Sequence, residues 1–327
     1  MKGSRIWKLF FIGWVVFAGI VGETLGASTF PDRPITLYFG STAGGGLHMY
    51  IRSFAEKMSE ILGQPVVVVA KPGAGQTIAA SFVAKSKPDG YTLLSVAGGN
   101  TSSGEYLTTK VSYKNTDFEY FGQYCISERF LYVMSHKPWK TLQELIDYSK
   151  KHPEKVMYPG QVVQRIPMET FCRAAGIKWV LIPKKGDTEF IQCMLTGDCD
   201  VALGWASSIW GMKDAQMTRI LATFAEQRSR FFPEVPTFGE LGYPQVVKTA
   251  ALFYGLAGPK GIPKEASDKI GDAFARALQD KEVQQKMANL GVRVEYMPGL
   301  QLQKLVLEEE KRYRKLYKEF GVEILNE

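Results

Sequence analysis

The sequence predicts an α/β protein of two domains, each a mainly parallel sheet flanked by helices, with a cleft between them. Three observations predict it. From Ile35 onward, apolar β-branched runs alternate with amphipathic runs, the order that builds parallel sheets covered by helices. A second alternation of the same kind begins near Phe130. A Pro- and Gly-rich connection, "FFPEVPTFGELGYP", separates that second run from one more strand and a group of C-terminal helices. Those helices are read as cover for the first sheet. The second domain is therefore inserted into the first, with 28–128 plus 249–327 forming domain 1 and 129–248 forming domain 2.

The elements follow in order. "ITLYFG", Ile35–Gly40, is a strand, "STAGGG" a glycine turn, and Leu47–Leu62 an amphipathic helix. Such a turn leaves the first N–H groups of the helix open to a ligand. Val66–Ala70 is a strand, "KPGAGQ" a turn, Gln76–Lys85 a helix and Tyr91–Ala97 a third strand. "VAGGNTSSG" is a small-residue loop at that strand's carboxyl end, where sheets of this kind bind ligands. In the second run Phe130–Ser135 is a strand. Leu142–Lys150 is a helix opened by Thr141, with Glu144 three residues on. Val156–Tyr158 is a short strand, followed by the loop "PGQVVQ" and a helix through Ala174. Trp179–Ile182, Asp200–Trp205, Arg219–Thr223 and Leu252–Ala257 are strands. Pro263–Leu278, Glu282–Leu290 and Gln301–Phe320 are helices, and Val292–Tyr296 is a strand.

A chain of 327 residues suits two domains, and 45% apolar residues suffice for full cores. The formal charge is +7, but Lys and Arg are scattered, with no basic run and no aromatic-basic alternation. That pattern argues against nucleic acid and for a mildly basic surface that draws in small anions. The start is basic, "MKGSRIWK", and the run "LFFIGWVVFAGIVG" suits a signal-peptide core and is short for a spanning helix. Residues 1–27 are read as a cleaved secretory signal, which places the mature protein in the periplasm. An uncleaved anchor is the alternative reading.

Four cysteines remain in an oxidising space. Cys193 and Cys199, in "CMLTGDC", are either a disulfide or two small buried hydrophobes. No metal site is expected: the cysteine spacing does not suit zinc, and His48, His136 and His152 are dispersed. "PGAGQTI" lacks the third glycine of a dinucleotide fingerprint and reads as a helix-entry turn. No phosphate-binding loop or nucleophile elbow appears, so neither a cofactor nor catalysis is expected.

Together, "FPDRPITLYF", "AGGG", "PGAGQTIAASFVAKSKPDGYTLL", "PEVPTFGELGYP" and "YGLAGPKGIPKEASDKI" resemble the Bug-type extracytoplasmic solute receptors. These are the substrate-binding proteins of tripartite tricarboxylate transporters. The resemblance spans the mature chain and implies a periplasmic-binding-protein-like fold. It also implies a monomer that traps a small carboxylate between two domains and delivers it to membrane permease subunits. It assigns the first ligand loop to Ser41, Thr42, Gly44, Gly45 and Gly46, with His48 where the family often has an Asp. It assigns the loop after the third strand to Gly98, Asn100, Thr101 and Ser102. In the second domain "YPGQVVQR" leaves Gly160, Gln161 and Arg165 as polar candidates. Trp205 stands near a second family acid position. The loss of both acids points from a zwitterion to an aromatic or di- or tricarboxylic anion. Each residue also has a structural reading: His48 as a helix-face cover, Arg165 paired with Glu169, Trp205 as core. A sensor of the same fold and an exported hydrolase are the rival functions.

Overall fold

The computed structural model describes residues 30–184, 187–247, 249 and 252–326. The expected signal segment and its cleavage point near Ala27 lie outside the described residues. The first run comprises β1 (Ile35–Phe39), α1 (Gly46–Leu62), β2 (Val66–Ala70), α2 (Thr77–Ala84), β3 (Thr92–Ala97), α3 (Gly104–Thr108) and β4 (Phe118–Ser127). The chain then crosses at Glu128 into β5 (Arg129–Met134), α4 (Leu142–Lys151), β6 (Val156–Gly160), α5 (Val162–Ala175) and β7 (Trp179–Pro183). It continues through α6 (Asp187–Thr196), β8 (Val201–Trp205), α7 (Ala206–Asp214) and β9 (Thr218–Thr223). A long return carries α8 (Pro244–Val247). It leads to β10 (Leu252–Pro259), α9 (Lys264–Gln279), α10 (Lys281–Asn289), β11 (Arg293–Pro298) and α11 (Gly299–Glu319).

The first half is built on a six-stranded sheet in the order β11-β4-β10-β3-β1-β2. Alternate side chains on its strands enter two different cores, as the period of two requires. Leu93 and Leu256 join Phe54, Tyr124 and Phe274 on the face covered by α1, α9 and α10. Leu94 and Ala257 join Val306, Tyr313 and Tyr317 on the face covered by α2 and α11. The second half holds a three-stranded sheet, β8-β5-β9, and a parallel pair, β6-β7.

The α/β class and the helix-flanked sheets are as expected, but the share of parallel pairing is smaller. β1 is parallel to β2 and to β3, and β6 is parallel to β7. β10 runs antiparallel to both β3 and β4, and β5 antiparallel to both β8 and β9. β11 also opposes β4. The cause is the route of the chain. It leaves the first half along β4 and returns beside it, so Leu252 pairs with Ser127. β10 therefore enters the sheet reversed, and β5 enters the second sheet reversed for the same reason.

Three local differences have physical causes. β4 was not expected: it is buried along most of its length, so it shows no polar alternation to mark it as a strand. α5 starts at Val162, inside the expected loop. Gln161 N–H donates to the Gln164 side chain at 3.0 Å, so a capping box starts the helix despite Pro167 within it. At α4, Thr141 Oγ1 accepts from Glu144 N–H at 3.2 Å as expected, while Glu144 accepts from Lys140 N–H rather than from Thr141.

Cys193, near the end of α6, and Cys199, just before β8, are joined as a disulfide with Cα atoms 5.5 Å apart. A ring this small stabilises by about 2 kcal/mol. Peptide mapping of exported protein without reductant is expected to recover the 193–199 cross-link. Free thiols at both positions would leave only their packing role.

Candidate functional site

A cleft of about 750 Å³ lies between the halves. Its floor is the glycine turn after β1. Gly44 has φ +85°, a left-handed conformation natural only to glycine, while Gly45 has φ −75° and ψ 172° and caps α1 without a side chain. The first N–H groups of any helix lack an intrahelical acceptor, and here Gly45, Gly46 and Leu47 line the cleft. Ser41 and Thr42 line it beside them.

The wall next to this floor is the β2–α2 turn, a single 3₁₀ turn over Ala74–Gln76. It packs onto the end of β1 because residue 40 is glycine: a Cβ there would fall 2.3 Å from Gln76 Cβ. Gln76 is left-handed at φ 76°, lines the cleft, and has a buried Oε1 with no donor among the described residues. Gly40→Ala is expected to displace this turn and to cost roughly 1–3 kcal/mol of stability. A thermal melt at wild-type temperature would show that the turn shifts freely.

The second half contributes Gln161 and Gln164 from α5, Thr188, Glu189 and Phe190 from α6, and Trp205 at the end of β8. Ser127 and Arg129 complete the cleft where the chain crosses over. Arg129 opposes Trp205 across the β5–β8 pair, and its guanidinium lies 4.4 Å from an indole ring centroid. Arg129 is only 3% exposed.

The electrostatics follow from direction. The amino ends of α1, α2, α5, α6 and α7 all supply lining residues. Each helix end carries about half a positive charge, felt within its first turn. Arg129 adds a full charge in a site shielded from solvent. Glu189 is the one carboxylate among the described lining residues, and no histidine is among them. Such an arrangement holds an anion. No group of three metal-ligating side chains occurs among the described residues.

The expected site residues divide into two groups. Ser41, Thr42, Gly45, Gly46, Asn100, Gln161 and Trp205 line the cleft. Gly44, His48, Gly98, Thr101, Ser102, Gly160 and Arg165 do not. Gly44 N–H donates to His48 Nδ1 at 3.0 Å, and the imidazole stacks on Phe39 at 5.3 Å, so His48 braces the turn from behind. Thr101 Oγ1 bonds both the N–H and the carbonyl of Ala97, and Ser102 Oγ donates to Gly98 O at 2.8 Å. Both side chains are at most 2% exposed, so their hydroxyls tie the turn to itself. Gly98 lies under Phe253, where a Cβ would meet the ring at 2.4 Å. Gly160 is closed in by Gln164 and Leu181, and Arg165 pairs with Glu169.

Arg129, Gln76, Tyr254 and Glu189 line the cleft without having been singled out in the sequence. Only Arg129 carried a usable signal, as a lone cation opening the apolar run "RFLYVM".

The family described as "tripartite tricarboxylate transporter family receptor" matches residues 50–322. The "UPF0065 protein in gbd 5'region" of Cupriavidus necator is 34% identical, over 90% of this chain and 90% of its own length. Protein BugT of Bordetella pertussis is 27% identical, over 96% of this chain and 97% of its own. Among solved structures, MatC from Rhodopseudomonas palustris with bound malate superposes with a TM-score of 0.76 at 26% identity. That match covers 88% of this chain and 99% of MatC.

Proposed function

Because the chain belongs to the tripartite tricarboxylate transporter receptor family, we propose that it captures a small carboxylate in this cleft and hands it to a membrane permease. The observation that carries the ligand class is the convergence of five helix amino ends and the Arg129 guanidinium on one cleft. One carboxylate sits on the N–H groups after Gly45, within reach of Ser41 and Thr42. The far end of the ligand meets Arg129 and Trp205 when the halves 28–128 plus 249–327 and 129–248 close. Malate in the related MatC supports a ligand of this size and charge. An indole under a guanidinium also suits an aromatic acid.

Native mass spectrometry of protein purified without refolding is the direct test. A retained carboxylate of fewer than about 20 heavy atoms is the expected result for a cleft of this volume. A cationic or neutral ligand in its place would overturn the carboxylate reading. Turnover of the retained molecule would overturn the receptor reading.

We further propose export to the periplasm and a monomeric mature chain. The intact mass of exported protein is expected to correspond to a start near Ser28. A mass that includes Met1 would show that the basic and apolar segment stays attached.

A further inference from the structure

A second cavity of about 550 Å³ lies behind the crossover. β4 and β10 stand between most of it and the cleft: Tyr254 lines the cleft and the adjacent Phe253 the rear cavity, while Ser127 and Arg129 at the crossover line both. Its walls come from β4, β10, β11 and α11 on one side and from the return segment, residues 224–230, on the other. It has the volume of a small-molecule site.

The lining is amphipathic. Phe224, Val247, Phe253, Met297 and Leu305 form an apolar surface. Several buried polar atoms of its lining residues have no hydrogen-bond partner among the described residues, an oxygen of Glu128 among them, and two of them bear on a ligand. Gln123 is fully buried, its Nε2 donates to Glu295 O at 2.9 Å, and its Oε1 has no donor among the described residues. Arg312 is held by Glu309, yet its buried Nε has no acceptor among them. A buried polar atom left unbonded is destabilising, so an acceptor and a donor in one cavity specify what would fill it.

The charges around them lean the same way. Of the acids, Glu295 is engaged by Arg293 and Glu309 by Arg312. Burial pushes the Glu128 and Glu309 carboxyls above the usual carboxylate range, which reduces their opposition to an anion. Glu226 is exposed at the rim, as are Arg228, which is paired with Glu240, and Arg230, which forms no ion pair among the described residues.

We propose that this rear cavity is a second ligand site, and that it takes an amphipathic monocarboxylate carrying a hydroxyl. The carboxylate meets Arg312 Nε and the arginine rim, the hydroxyl donates to Gln123 Oε1, and the hydrocarbon covers Phe224 and Phe253. The walls belong to both halves, so the angle between the halves sets the width of the site.

The test is calorimetric titration of the mature protein with 3-phenyllactate. The expected result is a binding event that Ala225→Trp, which fills the cavity, removes. Arg230→Glu on the exposed rim is expected to weaken it several-fold. Gly45→Val, in the cleft, is expected to leave it intact. 3-Phenylpropanoate, which lacks the hydroxyl, is expected to bind about tenfold more weakly, the equivalent of one hydrogen bond. Thermal melts establish that each variant is folded, and Arg230→Glu carries the test if Ala225→Trp is not. No binding at millimolar probe, binding unchanged in the folded rear variants, or binding lost in Gly45→Val would each overturn the site. The last outcome places the probe in the cleft, so it counts against the rear cavity and not against the receptor function.

Discussion

Gly45→Val is expected to lower affinity for the cleft ligand roughly 10- to 150-fold, the equivalent of losing about 1.5–3 kcal/mol of charge-assisted hydrogen bonding. The substitution is a clean one. Gly45 has φ −75° and ψ 172°, an extended conformation that valine adopts readily. A Cβ there meets only Thr42 O, at 3.6 Å, in ordinary contact. The protein therefore accommodates the side chain, and the ligand, which needs the space over the first turn of α1, does not. The melting temperature is expected to stay near that of the wild type. Gly44 gives the contrast: at φ +85° any side chain strains the backbone, so a loss of binding there would report strain as well as the site. Calorimetric titration of Gly45→Val with the ligand recovered by native mass spectrometry reads the result. Unchanged affinity in a folded variant would make the glycine turn purely structural and move the anion site elsewhere.

The contrast between these neighbouring glycines shows what the sequence exposes and what it hides. Three glycines between a strand and an amphipathic helix announce a turn that brings backbone N–H groups to a ligand, and Gly45 and Gly46 line the cleft as that reading requires. Which glycine needs a positive φ is set by the path of the turn and is not written in a Gly-Gly-Gly string. The elements with a polar side, such as α1 and α4, were legible because half-buried helices keep a 3.6-residue period. β4 was not, because burial on both faces removes the alternation that marks a strand. The reversed direction of β10 and β5 was also hidden. Strand direction depends on where the chain leaves and re-enters a sheet, and the composition of "LFYGLAGP" is the same either way.

The site was half legible for a related reason. Thr101 and Ser102 look like ligand groups in a small-residue loop, yet that loop curls into a turn whose own carbonyls take both hydroxyls. Asn100, between the same loop's glycine and threonine, is the residue left facing the cleft. His48 stands one turn into the helix beside the ligand loop, and the helix rotation sends its ring to Phe39 instead. Gln76 and Tyr254 reach the cleft from remote segments, through the Gly40 contact and the antiparallel entry of β10. Neither arrival can be read without the tertiary route.

Arg129→Met is expected to weaken binding of the cleft anion by roughly 1.5–3 kcal/mol while leaving the fold intact. The backbone of residue 129 is fixed without its side chain: its carbonyl accepts from Phe224 N–H at 2.9 Å and from Thr223 Oγ1 at 3.2 Å. Methionine has a similar length and still packs on Trp205 but gives up the cation–aromatic contact, so the melting temperature is expected to fall by a few degrees with cooperative folding retained. Arg129→Lys separates charge from shape. It keeps the cation but loses the flat guanidinium that lies over Trp205 at 4.4 Å, so its affinity is expected to fall between the wild type and Arg129→Met. The guanidinium does not titrate near neutrality, so the loss in Arg129→Met is expected to be the same at pH 6 and pH 8. Titration of both variants with the retained carboxylate, beside thermal melts, measures all of this. Wild-type affinity in a folded Arg129→Met protein would mean that the converging helix ends hold the anion alone. It would also mean that Arg129 belongs to the crossover rather than to the ligand.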